Sequence, residues 1–345
     1  FTGPETSSDL YPFLRRSFTA WPGRKTMAES FLVIEPGSLT TVQDLGRFGW
    51  QSLGIPVSGV MDPYAARAAN LLVGNEHSAA VLEMTVTGMT LAVLQPSCLA
   101  VTGARAKIKV NTQILPCWES FHVHPGDLVR IGQVQSGCRM YLAVSGGIDV
   151  PLVMGSRSTS AGTGLGGFCG RALQKGDILS AGPSPGLPHP ARVPDAYVPE
   201  PGKKIILRCV PGPQDTFFSR LDSSLFESDY TVTARSDRRG VRLEGPAIQH
   251  AHDSPGRVLS EPSLPGNIQV PGDGQPIVLL LEQTVGGYAK PATVISSDLP
   301  RLAQAVPGTS VRFEAVSLEQ AHILLSEAQQ FITNLEKCLR PAHAP

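Results

Sequence analysis

The sequence predicts a mainly β protein of two tandem β-barrel lobes, with a few short helices and one C-terminal helix. Three observations predict this. Between Phe31 and Gly182, short runs rich in Val, Ile, Leu and Thr are broken by Gly, Pro or Asp roughly every 8 to 12 residues, the rhythm of barrels and sandwiches. Tight turns feed strands repeatedly: Pro125-Gly126-Asp127 precedes Leu128-Val129-Arg130-Ile131, Lys175-Gly176-Asp177 precedes Ile178-Leu179, and Pro307-Gly308-Thr309 precedes Val311-Arg312-Phe313. Finally, the 345 residues exceed the ~250–300 at which one hydrophobic core stops growing.

The elements follow in chain order. Residues 1–30 read as an N-terminal extension: Arg15-Arg16, Pro22 and Gly23 stand in a stretch without hydrophobic periodicity, and a regular apolar pattern starts just after Met27. A transit peptide is the other reading, and Glu5 and Asp9 argue against it. Residues 31–183 are expected to form the first lobe. Within it Asp62 caps a helix whose first position is Pro63 and whose face runs through Ala65, Ala68, Leu71 and Leu72 to Gly74. Residues 184–203, with prolines at 183, 185, 188, 190, 194, 199 and 201 in and around them, read as a linker that holds no regular element. The second lobe is expected over 204–316. Residues 317–345 carry the C-terminal helix and tail, with Leu318, Ala321, Leu324, Leu325, Ala328, Phe331, Ile332 and Leu335 at helical spacing.

Composition excludes several classes. Lys plus Arg and Asp plus Glu each total 29, so the formal net charge is zero, which gives no footprint for nucleic acid or an anionic membrane. Every apolar run is interrupted well short of the ~20 residues a membrane helix needs. The six cysteines have neither zinc-knuckle nor redox spacing and read as reduced, buried thiols of a cytoplasmic chain. His122 and His124 alternate along a strand, but no third ligand stands near them, so no metal site is expected. There is no Gly-x-Ser-x-Gly elbow, which speaks against a self-contained serine hydrolase.

Three segments concentrate polar chemistry. The first, Thr41 to Asp62, contains Gln43, Asp44, Arg47 and Ser58. Arg47 offers a forked donor for a carboxylate, and Asp44 or Gln43 can orient it; the alternative is an Asp-Arg pair that merely stiffens a loop. In the second, Gly155-Ser156-Arg157 lies in a glycine-rich loop whose amides can face an anion, although no Lys-Ser or Lys-Thr follows as in a P-loop. The third runs from Ile268 through Glu282, Gly286, Gly287 and Tyr288 to Lys290. There Lys290 can offset phosphoryl or oxyanion charge and Glu282 can take a proton; the alternative is an ordinary surface hairpin.

These runs, Val42-Gln43-Asp44-Leu45-Gly46-Arg47 with Ser58-Gly59-Val60-Met61-Asp62, Ala143 to Thr159, and Gly266 to Pro300, resemble the family of the 5-oxoprolinase C subunit over about residues 31–315. That family is also called allophanate hydrolase subunit 2-like or biotin-dependent carboxyltransferase-like. The sequence departs from the family pattern at Leu281-Glu282, Val285, Ala289 and Pro291, leaving Glu282 as a shifted acid.

The resemblance implies two cyclophilin-like β-barrel lobes. It also implies a partner like the family's B subunit (allophanate hydrolase subunit 1-like), with a protein like its A subunit, in an ATP-dependent (Mg-ATP) complex that opens the lactam of 5-oxoproline to L-glutamate. On this reading Asp44, Arg47, Glu282 and Lys290 are catalytic. Gln43, Ser58, Asp62, Gly155, Ser156, Arg157, Gly286, Gly287 and Tyr288 bind substrate or nucleotide in a cleft between the lobes. Two alternatives come with the same resemblance: a carboxyltransferase using carboxybiotin in a urea carboxylase-type system, and a non-catalytic regulatory binding protein.

Overall fold

The computed structural model describes residues 28–184, 189–219, 221–254 and 258–339, with the side chains of 222 and 223 set aside. The expectations for residues 1–27, for Pro185 and Pro188 and for the tail beyond 339 lie outside the described residues.

Nine strands build the first sheet: β1 (Glu29–Glu35), β2 (Thr40–Gln43), β3 (Val81–Thr85), β4 (Thr90–Val93), β5 (Ser97–Val110), β6 (Gln113–Leu115), β7 (Ser120–Val123), β8 (Leu128–Val144) and β9 (Ile178–Ser180). Their order is β2-β3-β8-β4-β1-β9, with β5 pairing β6, β7 and β8. The two long strands make the architecture. β8 pairs β4 through its first half and β3 through its second, while β5 follows it throughout with register shifts between Gly103 and Ile108. Such bulges bend a strand, so one pair of strands serves both ends of the sheet.

Burial along β8 records what covers each half. Its first residues alternate between inside and solvent, whereas from Gly137 onward every residue is buried. The cover over that second half is helix α1 (Pro63–Leu72), whose Ala65, Ala68 and Ala69 pack on Tyr141, Ala143, Cys98 and Ala100. Alanines at these positions let the helix lie close to the sheet. The expected cap is present: Asp62 Oδ1 accepts from the Ala65 amide at 3.0 Å, with Pro63 following.

The second sheet is a closed barrel of order β10-β17-β14-β15-β12-β11-β18. Its strands are β10 (Lys204–Pro211), β11 (Asp229–Val232), β12 (Gly240–Glu244), β14 (Asn267–Val270), β15 (Ile277–Leu279), β17 (Ala289–Val294) and β18 (Ser310–Ala315). A two-stranded ribbon of β13 (Glu261–Pro262) and β16 (Val285–Gly286) stands beside it. The first and last barrel strands, β10 and β18, close it in parallel from Lys204↔Ser310 to Cys209↔Ala315. The mainly β reading holds. The first lobe, however, is an open half-barrel: its strand path ends at β2 and β9, which do not pair with each other, and β5 joins from the side through β8.

The proline-rich stretch is less bare than expected. A short 3-10 turn covers Asp195–Tyr197, Arg192 bridges to Glu119, and buried Val193 joins the core beneath α1. After α2 (Leu299–Ala303), helix α3 (Leu318–Leu339) starts on the second lobe, where Ala321 packs with Ile295 and Val316, and ends on the first, where Ile332 and Leu335 join the α1 core. It is a strut between the two. Among the described residues no helix is long and apolar enough to cross a membrane. The cysteine reading is corrected at two positions: Cys98, Cys138 and Cys209 are buried and Cys117 is half-buried, but Cys169 and Cys338 are exposed.

Candidate functional site

The first two polar segments meet around one carboxylate. Asp44 follows the end of β2, and its Oδ1 accepts from the Gly46 amide (2.9 Å), the Ser156 hydroxyl (2.6 Å) and the Ser158 hydroxyl (2.5 Å). Its Oδ2 accepts from the Arg157 amide at 2.6 Å. The glycine-rich loop therefore already holds an anion, and that anion is Asp44. The Ser158 amide is also taken, by the Ser156 hydroxyl. This corrects the expectation that Ser156 and Arg157 present amides to a nucleotide: the Ser156 amide donates to the Val153 carbonyl at 3.2 Å and the Arg157 amide to Asp44, while Gly155 stays exposed at the edge of the loop.

Arg47 and Gln43 brace the same knot. Arg47 is fully buried; Nε donates to the Val153 carbonyl (3.0 Å) and Nη2 to the Ser158 carbonyl (2.8 Å). Burial lowers its pKa, and the nearby Asp44 charge works in the opposite direction. Its guanidinium does not reach solvent, which corrects the picture of Arg47 as an open fork for a substrate carboxylate and of Asp44 as its orienting acid. Gln43 Oε1 accepts from the Gly59 amide at 3.0 Å, which holds the two ends of the first segment together. Gly46 and Gly59 lie back to back there: a Cβ on Gly59 would stand 2.8 Å from the Gly46 Cα.

The first and third segments meet at the seam between the lobes. The Ser58 amide donates to the Leu281 carbonyl at 3.1 Å, and Ser58 itself is fully buried, so it too is no open substrate ligand. The centre of the seam is Arg238, which sequence reasoning did not single out. Its Nε donates to Glu282 at 2.7 Å, its Nη2 to the Gly59 carbonyl at 2.7 Å, and its Nη1 pairs with buried Glu83 of β3. Burial alone would lower the Arg238 pKa; Glu83 and then Glu282 more than offset it, so the guanidinium is held above its ordinary value. Glu282 is thus one arm of an ion-paired triad rather than a free base. Beside the triad, Gln304 reaches from the second lobe into the first. Its carbonyl oxygen accepts from the Cys138 and Arg139 amides, and its amino group donates to Asp62 Oδ2 (2.9 Å) and the Arg139 carbonyl (3.1 Å).

Asp62 is therefore both helix cap and seam residue. Burial pushes its carboxyl pKa up, hydrogen bonds from Gln304 and the Ala65 amide pull it back, and the Glu83 charge adds to the rise. Because its folded value lies above the unfolded ~3.9, its contribution to stability is full at low pH and is lost as pH rises through the folded value. Asp62→Asn should flatten that slope: the fall in urea-unfolding free energy as pH rises from ~4 is expected to be smaller in the variant than in the native chain.

The open chemistry lies on the outer wall of the barrel. Along β12, β15 and β14 the residues Val241, Leu243, Val278, Ile268 and Val270 point into the core. By alternation, Gly240 and Arg242, Ile277 and Leu279, and Gln269 point outward. Register aligns Arg242 with Ile277 and Ile277 with Gln269, forming one row across three strands. Arg235, Asp237 and Arg239 of the loop before β12, with Gln283 and Tyr288, complete the lining of a cleft of about 230 Å³. A neighbouring cleft of about 380 Å³ continues past Arg235 and Arg242 toward Glu244 and Asp273. Both clefts lie on the second lobe rather than between the lobes. The signal in the sequence was four arginines in the eight residues 235–242.

Lys290 stands on the outer face of β17, next to the strand that carries Gln269. It is nearly inaccessible, and its Nζ lies 2.5 Å from Glu261, which also accepts from Gln214 at 2.9 Å. Lys290 holds the Glu261 carboxyl below the usual range; burial opposes this, and the hydrogen bond from Gln214 adds to the lowering. Nearly inaccessible and ion-paired with Glu261, Lys290 presents no open ammonium in this structure. Of the third segment, Tyr288 lines the cleft and Gly286 packs against the Gln269 side chain; the Gly287 carbonyl accepts from the Val258 amide at 3.1 Å. Among the described residues no group of three or more His, Cys, Asp or Glu could hold a metal ion.

Comparison with known proteins places this geometry among relatives. Residues 53–315 match the model of the carboxyltransferase domain, subdomain A and B. The chain is 37% identical to the C subunit of 5-oxoprolinase from Escherichia coli, over 88% of this chain and 96% of that protein. It is 33% identical to the Haemophilus influenzae protein of the same name, over 88% of this chain and 97% of that one. In structure it is similar to the K. lactis urea amidolyase, with a TM-score of 0.84 and 31% identity, covering 91% of this chain and 20% of that much longer one.

Proposed function

We infer the role of the chain from one premise: it belongs to the family of the 5-oxoprolinase C subunit, within the wider family of the carboxyltransferase domain, subdomain A and B. The proposed function is that of one component of an ATP-dependent amide or lactam hydrolase that converts 5-oxoproline to L-glutamate. It would act in the cytoplasm with partners like the B and A subunits of that enzyme. The observation that carries this reading is likeness to the two 5-oxoprolinase relatives across 96% and 97% of their own length.

Opening a lactam adds water across an unreactive C–N bond, and coupling to ATP is what makes such a carbonyl reactive. Residues 156–158 do not fit the nucleotide, since Asp44 already takes donors from each of them. What this chain's own residues supply is the braced seam of Arg238, Glu83 and Glu282 and the arginine-lined cleft beside it, a place to hold a small acid while a partner supplies the nucleotide chemistry.

The carboxyltransferase alternative is favoured by the likeness to the K. lactis urea amidolyase. One experiment separates the two. The chain is co-purified with both partners, and ATP hydrolysis and glutamate release are measured with and without 5-oxoproline, and again with avidin. Oxoproline-dependent turnover indifferent to avidin is the expected result. Turnover that requires biotin and is abolished by avidin would move the reading to the carboxyltransferase.

A further inference from the structure

At one margin of the first lobe a strand runs without a neighbour. β6 pairs β5 alone, and no other strand of the described residues lies along its far side. Residues 111–112 form a two-residue turn between Val110 and Gln113. Such a turn closes on a hydrogen-bonded pair and the pairs alternate from there, so at the next pair, Lys109 and Ile114, the backbone groups point away from each other. The amide and carbonyl of Ile114 therefore face outward, and neither meets a backbone partner among the described residues. Open edges are ordinarily blunted by charge, proline or a bulge, because a row of free backbone groups is a template for another strand. β6 has none of these: its residues are Gln113, Ile114 and Leu115, and Ile114 at its centre is 58% exposed.

Charge beside this edge is segregated. Between Ser97 and Trp118, and again between Leu128 and Ile148, there is no Asp or Glu, although the chain as a whole is neutral. Register puts Ile114, Lys109 and Arg130 in one row on the outer face, and Lys107 lies two residues along β5 on the same face. Lys107 and Arg130 are exposed and Lys109 is half-buried, and none of the three has an ion pair among the described residues. Arg105, next in that line, is paired with Glu200. Two acids at nearby strand ends are engaged elsewhere. Glu35 accepts from the Thr90 hydroxyl at 3.1 Å, and Asp127 accepts from Asn111 Nδ2 and from the His124 amide, each at 2.8 Å.

These charges discriminate between occupants. A second copy pairing edge to edge would extend the same face with three more cations and no acid. A nucleic acid strand would find no aromatic side chain on β6 or in the row beside it on which a base could stack. An extended peptide with acidic residues at alternate positions meets each observation: its backbone has a row of groups for Ile114, and its carboxylates lie on the face that carries the cations.

We propose that the free edge of β6 is a docking site for an extended acidic segment of another protein, which adds to the sheet as a further strand. Its backbone pairs with the Ile114 amide and carbonyl. Its carboxylates fold back over the edge toward Lys109 and Lys107, and Arg130 adds to the same positive field. The inference holds whichever reaction the chain serves.

The test uses the full chain and a fluorescein-labelled peptide of alternating Glu and Val, with binding read by anisotropy. Saturable binding that weakens as salt rises is expected, together with slower hydrogen exchange at Ile114 in the complex. A Lys-Val peptide of the same length should not bind. Lys109→Glu, at a surface position, should weaken binding about fivefold or more. Ile114→Pro removes the outward amide where an edge strand tolerates proline, and should weaken binding about tenfold. If that variant does not fold, an acidic peptide N-methylated on the groups that face β6 makes the same test from the ligand's side, since its charge is intact and its donors are gone. The proposal is overturned by absence of saturable binding, by equal binding of the Lys-Val peptide, or by binding indifferent to Ile114→Pro and to N-methylation, which would show attraction by charge alone. Light scattering that finds the isolated chain dimeric, and monomeric in Ile114→Pro, would assign the edge to a second copy and overturn it equally.

Discussion

Replacing Arg238 by alanine is expected to destabilise the chain by about 3–5 kcal/mol, because it strands a buried carboxylate without its partner. Glu83 is 2% exposed and meets Arg238 inside the seam, while Glu282 and the Gly59 carbonyl take the other two donor edges. Lysine is no substitute, since one ammonium cannot serve three acceptors in different directions. Urea unfolding of Arg238→Ala against the double variant Arg238→Ala/Glu83→Gln is the measurement that checks it. The second change removes the uncompensated charge and should restore part of the loss. An Arg238→Ala chain that unfolds at the native midpoint would show that the ion pairs do not hold the lobes.

The second large effect is expected at Asp44. Asp44→Ala leaves four donors, two amides and two hydroxyls, without the acceptor they share, at a cost of at least ~3 kcal/mol given ~1–3 for each stranded group. Asp44→Asn keeps one oxygen and should fall between the two. Hydrogen exchange of residues 153–160 reads the effect locally. Protection of that loop should drop sharply in Asp44→Ala, while the barrel strands β10 and β18 keep theirs. Equal loss in loop and barrel would mean that the carboxylate serves global stability alone.

Much of the fold was legible because it is written in short-range signals. Asp62-Pro63 before an alanine-rich run, Pro-Gly-Asp and Lys-Gly-Asp before β-branched runs, and the 3.6-residue spacing after Leu318 each specify an element without knowledge of the rest. The openness of the first sheet was not legible. It depends on β5 and β8 choosing each other along most of their length, a pairing between residues some 20 to 45 apart that no local pattern announces. The candidate site divided in the same way. The sequence showed that Asp44, Arg47, Glu282 and Lys290 are charges in unusual company, but not that each is buried against a partner. Whether a polar cluster is a site or a brace depends on which segment folds over it. For Asp44 that segment lies more than a hundred residues away, at Ser156 to Ser158. The arginines at 235, 239 and 242 carry no spacing signal of their own; the outward register of β12 puts Arg242 on the wall of a cleft, and the loop before it adds Arg235 and Arg239.

The parallel joint between β10 and β18 also sets an order of events during synthesis. The two strands that close the barrel are separated by about a hundred residues, so the ring cannot be completed until the segment ending at Ala315 has left the ribosome. The half-barrel depends on no such late strand and is free to form while the rest of the polypeptide is still being made. Gln304, Arg238 and α3 then reach a surface that is already in place, and the younger lobe matures against the older one as its template.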